Sequence, residues 1–257
     1  MPHTIIFYTG QGNLRLMKLL MTKEGRKFFY NGSDVHTQFG FVRKEDIEKA
    51  KPGKAVKTNK GVLMTVIEPG FLDLYKRIKR APQIIPLKDL GAVIAETGLS
   101  KKSVVLDAGS GSGATACFLA NFVKKVYTCE IREDFIEVVK HNIQFLGLKN
   151  VVSKKQDIYE AIPVKNLDMV LLDVPSPWQA IGPVKKGLKV GGYLVSYSPT
   201  VPQVSDFVET IKKDGSFVYI KTIEILERDW EFEERKIRPM SQAIGHSGFL
   251  TFARKIA

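Results

Sequence analysis

The stretch Val104-Val105-Leu106-Asp107-Ala108-Gly109-Ser110-Gly111-Ser112-Gly113 passes from an apolar run, through an acid, into a glycine-rich turn. The apolar run predicts a buried strand, and the helical pattern at 113–122 predicts a strand–turn–helix unit. Glycines in such a turn remove side chains and let a ligand approach the backbone. The stretch therefore predicts an α/β protein with a ligand site at the end of this strand.

Downstream of residue 88, predicted helices alternate with buried strands. The predicted strands are 103–107, 125–130, 151–154, 168–173, 191–197, 217–226 and 248–254, and the predicted helices are 88–98, 113–122 and 133–146. Continuous apolar runs such as Met169–Leu172 are typical of strands covered on both faces. Residues 88–257 are therefore expected to form a doubly wound, Rossmann-like sheet.

The first 70 residues have a different pattern. Short β-prone runs lie at Ile5–Tyr8, Lys27–Tyr30, Gly40–Val42, Ala55–Thr58 and Val62–Ile67. Turn signals separate them, so residues 1–70 are predicted to form a small antiparallel β-domain, a barrel or a sandwich. Phe71–Arg80 has a basic helical pattern, and residues 71–87 are predicted to form a helical linker.

The ligand of the glycine turn is decided by its acids. Gly109, Gly111 and Ala114 also fit the dinucleotide pattern G-x-G-x-x-A. However, Asp107 would repel a pyrophosphate at the helix N-terminus, whereas it suits an ammonium beside a sulfonium. Glu130 ends the next predicted strand, where it is placed to accept hydrogen bonds from ribose hydroxyls. The combination favours S-adenosylmethionine as cofactor over a nicotinamide dinucleotide or a ligand-free turn.

Charge is distributed unevenly along the 257 residues. Residues 1–80 contain 16 Lys/Arg and 7 Asp/Glu, whereas the whole chain has a net charge of +12. Such a basic N-terminal third favours a polyanionic partner. A solvated surface, or a proteome rich in lysine, would give the same count.

Several classes are disfavoured by what the sequence does not contain. Cys117 and Cys129 lack metal-ligand spacing, so no metal is expected and a reducing, cytoplasmic setting is the simplest inference. No apolar run has transmembrane length, and the start of the chain lacks a signal-peptide pattern, so no membrane is expected either.

The substrate side of the site is expected at later strand ends. Asp173 ends a predicted strand and precedes Pro175 and Trp178, a spacing that differs from the Asn/Asp-Pro-Pro-aromatic motif of base amino-methyltransferases. No cysteine lies in this region for pyrimidine C5 chemistry. Tyr197 ends the next strand, where packing is as plausible as a base contact. Asp157 is expected beside the cofactor adenine, although a loop cap is the alternative.

These motifs together resemble the tRNA (adenine-N1)-methyltransferases, which make 1-methyladenosine at position 58 of the T loop and, in some archaeal members, at position 57. The resemblance spans nearly the whole chain. It rests on the following segments: Asn31-Gly32, His36–Gly40, Gln83–Ile85, Lys88-Asp89, Asp107–Gly113, Glu130–Arg132, Asp173 to Trp178, Tyr197 to Gln203, Arg238-Pro239 and Gly245–Leu250. It implies a tRNA substrate, a homotetramer and Asp173 as the catalytic carboxylate.

The predicted site follows from the motifs and the resemblance together. The predicted cofactor-binding residues are Asp107, Gly109, Ser110, Gly111, Ser112, Gly113, Glu130, Arg132, Asp157 and Asp173. The predicted catalytic residues are Asp173 and Tyr197, whereas the motif containing His246 is expected to be structural.

One departure and two alternatives accompany this prediction. Pro86 and Leu87 stand where the family usually has tyrosine or histidine followed by proline, an aromatic thought to help hold the target base. A small-molecule methyltransferase would share the glycine turn without needing a basic N-terminal domain. A non-catalytic RNA-binding subunit would keep the fold but lose the acids Asp107, Glu130 and Asp173.

Overall fold

The computed structural model describes residues 6–8, 14–80 and 83–257, with side chains from residue 17 onward. The described chain forms two compact units. The first extends to Ile78 and includes Phe145–Gly147, and the second comprises Lys79–Gln144 and Leu148–Ala257.

The first unit contains short strands and two short helices. Its strands are β1 (Ile6–Tyr8), β2 (Leu14–Leu16), β3 (Leu19–Met21), β4 (Lys27–Phe29), β5 (Val35–Thr37), β6 (Gly40–Val42), β7 (Ala55–Lys57) and β8 (Leu63–Ile67). Its helices are α1 (Lys44–Lys49) and α2 (Phe71–Tyr75). The sequence pattern did not reveal β2, β3 or β5. The helix predicted at Phe71–Arg80 is wrong in its second half, because α2 ends at Tyr75.

The strands of the first unit pair antiparallel around a small core. Four of them form a sheet in the order β4-β3-β8-β7, while β1-β2 and β5-β6 are separate hairpins. Leu20, Met64 and Val66 are fully buried in this core, where they meet Ile47 of α1. The Nζ atom of Lys18 donates to three carbonyls at the end of α1, which satisfies acceptors that the helix leaves open.

The second unit is an α/β domain. Its strands are β9 (Val104–Ala108), β10 (Lys125–Glu130), β11 (Val151–Lys155), β12 (Leu167–Leu172), β13 (Leu188–Ser198), β14 (Phe217–Glu224), β15 (Trp230–Glu233), β16 (Lys236–Pro239) and β17 (Phe249–Lys255). Its helices are α3 (Leu87–Thr97), α4 (Ala114–Leu119), α5 (Glu133–Phe145), α6 (Ile181–Gly187) and α7 (Val201–Asp214), with a 3-10 turn at Pro177–Ala180. Each strand and helix predicted here is found within three residues of its expected ends.

The sequence pattern missed α6, α7 and the β15-β16 hairpin. Helix α7 nevertheless carries start signals, since the Thr200 side chain accepts from the Gln203 backbone N–H and Pro202 lies in the first turn.

Seven strands form one mixed sheet in the order β11-β10-β9-β12-β13-β17-β14. β17 runs antiparallel to both of its neighbours, whereas β9 to β13 are parallel to one another. The strand order reverses between β9 and β12, which is where ligands bind in open α/β sheets. Because Asp107, Glu130 and Asp173 lie at the carboxyl ends of β9, β10 and β12, the topology brings all three to this edge.

Candidate active site

The glycine turn after β9 adopts a backbone that other residues rarely take. Gly109, Gly111 and Gly113 have φ values of 83°, 51° and 75°. A Cβ atom on Gly109 would lie 2.0 Å from the carbonyl oxygen of Asp173. The glycine therefore lets this turn lie directly against the end of β12.

Asp107 is a buried acid with one unsatisfied oxygen. Its Oδ2 atom accepts from the Thr128 hydroxyl at 2.7 Å, and Thr128 in turn accepts from Ser110. Its Oδ1 atom is buried and has no donor among the described residues. Burial raises the pKa of Asp107 to about 7, opposed by the Thr128 hydrogen bond and reinforced by the charges of Asp173 and Glu130. This orphaned acceptor fits a ligand ammonium, as the sequence predicted for S-adenosylmethionine.

Glu130 holds the glycine turn from the end of β10. Its Oε2 atom accepts from the Gly111 N–H at 2.9 Å. Its Oε1 atom accepts from the N–H groups of Ile131 and Arg132, at 2.9 and 3.1 Å. A carboxylate has about four acceptor directions. One direction on Oε2 therefore stays available, so a second ribose hydroxyl would have to displace a backbone donor.

Arg132 and Asp157 are committed to local contacts. The guanidinium of Arg132 pairs with Asp134 and lies 3.9 Å from the centre of the Phe135 ring, so Arg132 serves the turn through its backbone N–H. Asp157 Oδ1 accepts from the Tyr159 N–H at 2.8 Å. This hydrogen bond is the loop cap that was the alternative to a contact with the cofactor adenine.

Asp173 lies where the β12 end meets the glycine turn. Its backbone N–H donates to the Ala108 carbonyl at 2.9 Å. Burial raises the pKa of Asp173 to about 6. Near neutral pH its side chain is therefore mostly a carboxylate in poorly hydrated surroundings, where charge acts strongly.

A cavity of about 250 Å³ opens beside Asp173. It is lined by Gln83, Ile84, Ile85, Pro86, Asp173, Tyr197, Pro199 and Ser247. Pro86, the residue that replaces the aromatic expected from the resemblance, thus lies in the wall of the cavity. The replacement of the expected aromatic by Pro86 therefore changes the wall of the cavity itself. Tyr197 is an aromatic residue in the same wall.

Tyr197 is fixed in place by its neighbours. Its hydroxyl donates to the Ser247 carbonyl at 2.6 Å, and a Cβ atom on Gly248 would lie 2.5 Å from its ring. Burial raises the pKa of Tyr197 to about 12, so the phenol is neutral and is not a general base.

His246 connects two segments near the cavity. Its Nδ1 atom lies 2.5 Å from Glu224 Oε1, and its Nε2 atom lies 2.7 Å from the Pro199 carbonyl oxygen. Both partners are acceptors, so both ring nitrogens donate only in the protonated form. The Glu224 hydrogen bond raises the pKa of His246 accordingly. These contacts agree with a structural role.

No role was predicted from the sequence for Lys88, Asp89 or Ser247, although all three lie in segments of the resemblance. Their side chains meet beside the cavity. A signal was present in the sequence, because Lys-Asp at the start of an apolar helix places two charges where burial is expected.

Neither a metal-binding cluster nor a membrane-spanning helix is found in the described part of the chain. Among residues 17–80 and 83–257, no group of three His, Cys, Asp or Glu side chains is placed to hold a metal ion. Within the same residues, no helix is long and apolar enough to cross a membrane.

The glycine turn lies where the strand order of the mixed seven-stranded sheet reverses, and it holds a buried acid, Asp107, with one unpaired oxygen. Together these features define the class of Rossmann-like S-adenosylmethionine-dependent methyltransferases. The residues present fit the cofactor, because Asp107 offers an unpaired buried acceptor and the glycines leave the backbone open to a ligand.

Comparisons with known proteins narrow the class. Residues 74–238 match the family described as the tRNA methyltransferase complex GCD14 subunit. The chain is 35% identical to tRNA (adenine(57)-N(1)/adenine(58)-N(1))-methyltransferase TrmI of Methanocaldococcus jannaschii, over 92% of this chain and 94% of that protein. It is 29% identical to tRNA (adenine(58)-N(1))-methyltransferase TrmI of Thermus thermophilus, over 92% and 96%. The chain belongs to this family of tRNA methyltransferases.

Solved structures agree with the fold. The crystal structure of the tRNA methyltransferase TrmI of Aquifex aeolicus matches with a TM-score of 0.80 and 26% identity, covering 94% of this chain and 97% of that one. A Thermotoga maritima protein described as a SAM-dependent O-methyltransferase matches with a TM-score of 0.85 and 27% identity, covering 97% of each chain.

Proposed function

We propose that this protein transfers a methyl group from S-adenosylmethionine to N1 of an adenine in the tRNA T loop, at position 58 and also at position 57. One observation carries the proposal. A half-buried carboxylate, Asp173, lies at the junction of the glycine turn and a cavity. The named activities of the relatives supply the substrate, and the Methanocaldococcus jannaschii relative, named for both positions, supplies position 57.

We assign the cofactor to the turn and its acids. Asp107 Oδ1 binds the ammonium, Glu130 accepts from the ribose through its available direction, and the backbone of Gly109–Gly113 borders the ligand. Ser110 supports Asp107 through Thr128, while Arg132 and Asp157 hold the neighbouring loops. The bound cofactor supplies an electrophilic methyl group.

Catalysis in this proposal depends on the charge of Asp173. Adenine N1 has an in-plane lone pair, so no enzyme nucleophile is needed. As N1 gains the methyl group, positive charge spreads to the exocyclic amine. A carboxylate beside that amine stabilises the transition state more than the ground state, by accepting a hydrogen bond or the proton itself. Burial strengthens this interaction because little water screens it.

The target base must leave the folded tRNA to reach the cavity. N1 lies on the pairing edge of adenine, so the base is expected to be extruded before it enters the pocket. Tyr197, the aromatic residue in the wall, contacts the base in place of the aromatic that Pro86 replaces. We therefore keep Tyr197 as a substrate-contacting residue and not as a proton carrier.

The basic N-terminal third is proposed to hold the tRNA backbone. Residues 1–80 carry 16 Lys/Arg against 7 Asp/Glu, which suits a polyanion. The predicted organisation, a β-domain at 1–70, a linker at 71–87 and a catalytic domain at 88–257, stays a prediction, as does a cytoplasmic location.

Self-association into the predicted homotetramer is supported by the β15-β16 hairpin. On one face, the side chains of Trp230, Phe232 and Ile237 are 53%, 75% and 58% exposed, and Ile237 lies opposite Phe232 in the hairpin. On the other face, Glu231 pairs with Lys236 and Arg238. A two-stranded hairpin is marginal in water, so an exposed apolar face favours coverage by another chain.

Two alternatives remain distinguishable. A methyltransferase that acts on a small molecule is one alternative, and the Thermotoga maritima structure is described as an O-methyltransferase, which names a different acceptor atom. A non-catalytic subunit is disfavoured because Asp107, Glu130 and Asp173 are all present.

The test is methyl transfer from radiolabelled S-adenosylmethionine to an unmodified tRNA transcript. We expect 1-methyladenosine at positions 58 and 57 of a transcript with adenine at both, mapped by the reverse-transcription stops that the modification causes. A transcript with guanine at both positions is the control and should take up no label. Label in the control transcript, or none in the adenine transcript, would overturn the proposal.

A further inference from the structure

A buried ion pair lies at the start of helix α3. The Lys88 Nζ atom is 2.9 and 3.0 Å from the two carboxylate oxygens of Asp89, and the side chains are 11% and 1% exposed. Nζ also donates to the Ile225 carbonyl at 2.8 Å and to Ser247 Oγ at 2.7 Å. An ammonium has three donors, so the pair is fully satisfied. Because a buried ion pair is weak evidence for stability, we ask which neighbouring groups this pair holds in place.

The pair fixes Ser247 at the cavity. Ser247 Oγ accepts from Lys88 and donates to Asp89 Oδ2 at 3.0 Å. Its single hydroxyl hydrogen is thereby used. Both atoms that hold the side chain belong to one ion pair, so the backbone of Ser247 is held at a defined distance from α3.

Ser247 in turn fixes Tyr197. The Ser247 carbonyl accepts the Tyr197 hydroxyl at 2.6 Å, and Gly248 leaves room for the ring. Because that bond uses the only hydroxyl hydrogen, the Tyr197 oxygen has lone pairs but no donor for any further partner. Both Tyr197 and Ser247 line the cavity beside Asp173.

We infer that the Lys88–Asp89 pair and Ser247 are positioning residues that hold the Tyr197 hydroxyl as a hydrogen-bond acceptor in the cavity. Together with ionised Asp173, which is acceptor-only, this gives the cavity two hydrogen-bond acceptors that select a base edge bearing an amino group. The exocyclic amine of adenine has two N–H groups, one for each acceptor. The inference rests on the proposed function and names what determines its base specificity.

The test compares two target bases in an otherwise identical tRNA. One tRNA has adenosine at position 58, and the other has purine riboside, which keeps N1 but lacks the amine. Selectivity is the ratio of kcat/KM for the two. Tyr197→Phe removes one acceptor and should lower this ratio about 2- to 10-fold, the range of a single hydrogen bond.

Ser247→Ala tests the positioning role while leaving the ion pair intact. We expect it to lower the selectivity ratio by a similar factor, about 2- to 10-fold, because the backbone carbonyl that accepts from the Tyr197 hydroxyl is no longer tied to the ion pair through the Ser247 side chain. In a Tyr197→Phe background the same change should have little further effect, since residues acting through one group are not additive. Lys88→Met should lower the selectivity ratio as much as Ser247→Ala does. Because it leaves Asp89 as an unpaired buried charge, its folding is checked first by circular dichroism, and Ser247→Ala decides the outcome if it does not fold.

Lys221→Met is the matched control. Lys221 pairs with Glu96 at the surface, and its loss should leave the selectivity ratio unchanged. Two results would overturn the inference: equal losses on both bases for Ser247→Ala, or additive losses with Tyr197→Phe. Failure of the wild-type protein to methylate the adenosine tRNA would instead contradict the proposed function, so the two failures are separable.

Discussion

The glycine turn after β9 and the cavity beside Asp173 are built in opposite ways. The turn is one run of consecutive residues, Asp107 to Gly113, and its conformation depends on three glycines with positive φ. The cavity is assembled from four distant segments, at 83–86, 173, 197–199 and 247. A local site is specified by residue type at each position, whereas an assembled site depends on the packing that brings its segments together. Substitutions should therefore act differently in the two regions.

The largest effect is expected in the cavity, at Asp173. Asp173→Asn keeps the size of the side chain but removes its charge, and should slow single-turnover methyl transfer on the order of 100- to 1,000-fold. The tRNA affinity should change little, because the lost interaction belongs to the transition state. The measurement is a rapid-quench assay with saturating tRNA and cofactor.

The pH dependence of the same assay provides the control. Because the pKa of Asp173 is raised to about 6, the wild-type rate should increase with pH through about 6, and the Asp173→Asn rate should not. A loss below about tenfold would mean that Asp173 only caps the loop before Pro175, a role in which asparagine serves nearly as well.

The next largest effect is expected in the turn, at Gly109. Gly109→Ala places a Cβ atom against the Asp173 carbonyl and forces a side chain into positive φ, at a cost of about 1–3 kcal/mol. Thermal unfolding and calorimetric titration with the cofactor should both show the loss. Gly182→Ala is the matched control, since a Cβ atom there meets nothing within 4 Å and α6 gains helix propensity. Equal stability of the two variants would contradict a strained turn.

Cofactor affinity should depend on pH through Asp107. Burial raises its pKa to about 7, so below that pH the carboxyl becomes neutral and no longer attracts the ammonium. Affinity should fall by up to about tenfold per pH unit between pH 7 and pH 5. The raised pKa also means that the cofactor-free protein loses stability as pH rises from about 4 through 7. Isothermal titration across this range checks the slope, and Asp107→Asn should flatten it while binding weakly throughout.

The smallest effect per residue is expected in the basic region. The variant neutralises Lys76, Arg77, Lys79 and Arg80 to glutamine. For each phosphate that the protein no longer neutralises, the slope of log K against log salt should become shallower by about 0.9 or less. Cofactor binding should be unaffected. The matched control neutralises Lys185, Lys186, Lys212 and Lys213. If both variants change the slope equally, the effect is one of net charge and not of a specific tRNA surface.

The turn was predictable from sequence, because the types and spacing of Asp107, Gly109 and Glu130 indicate a glycine turn flanked by acids. The cavity was only partly so. Asp173 followed from its place after a buried strand, but Lys88 and Ser247 did not, because 159 residues separate them and nothing local indicates that they meet.

The two structural units also differ in how well their strands could be predicted from sequence. Buried strands such as β9 and β12 are continuous apolar runs and were found near their actual ends. Strands of three residues carry too few positions for a period to be visible, and β3 and β5 were missed. The equally short β4, β6 and β7 were found only because their β-prone residues lie between turn signals. The end of α2 at Tyr75 was missed because the basic residues after it are compatible with a helix.

By itself, the sequence determined the α/β class, the glycine turn and the acids at three strand ends, because each depends on residue type and local spacing. Only the tertiary structure decided that Asp107 keeps one oxygen unpaired, that Glu130 is largely occupied by backbone donors, and that Pro86 lies in the cavity wall. These facts depend on burial and on contacts between segments far apart in the chain, and no local pattern encodes them.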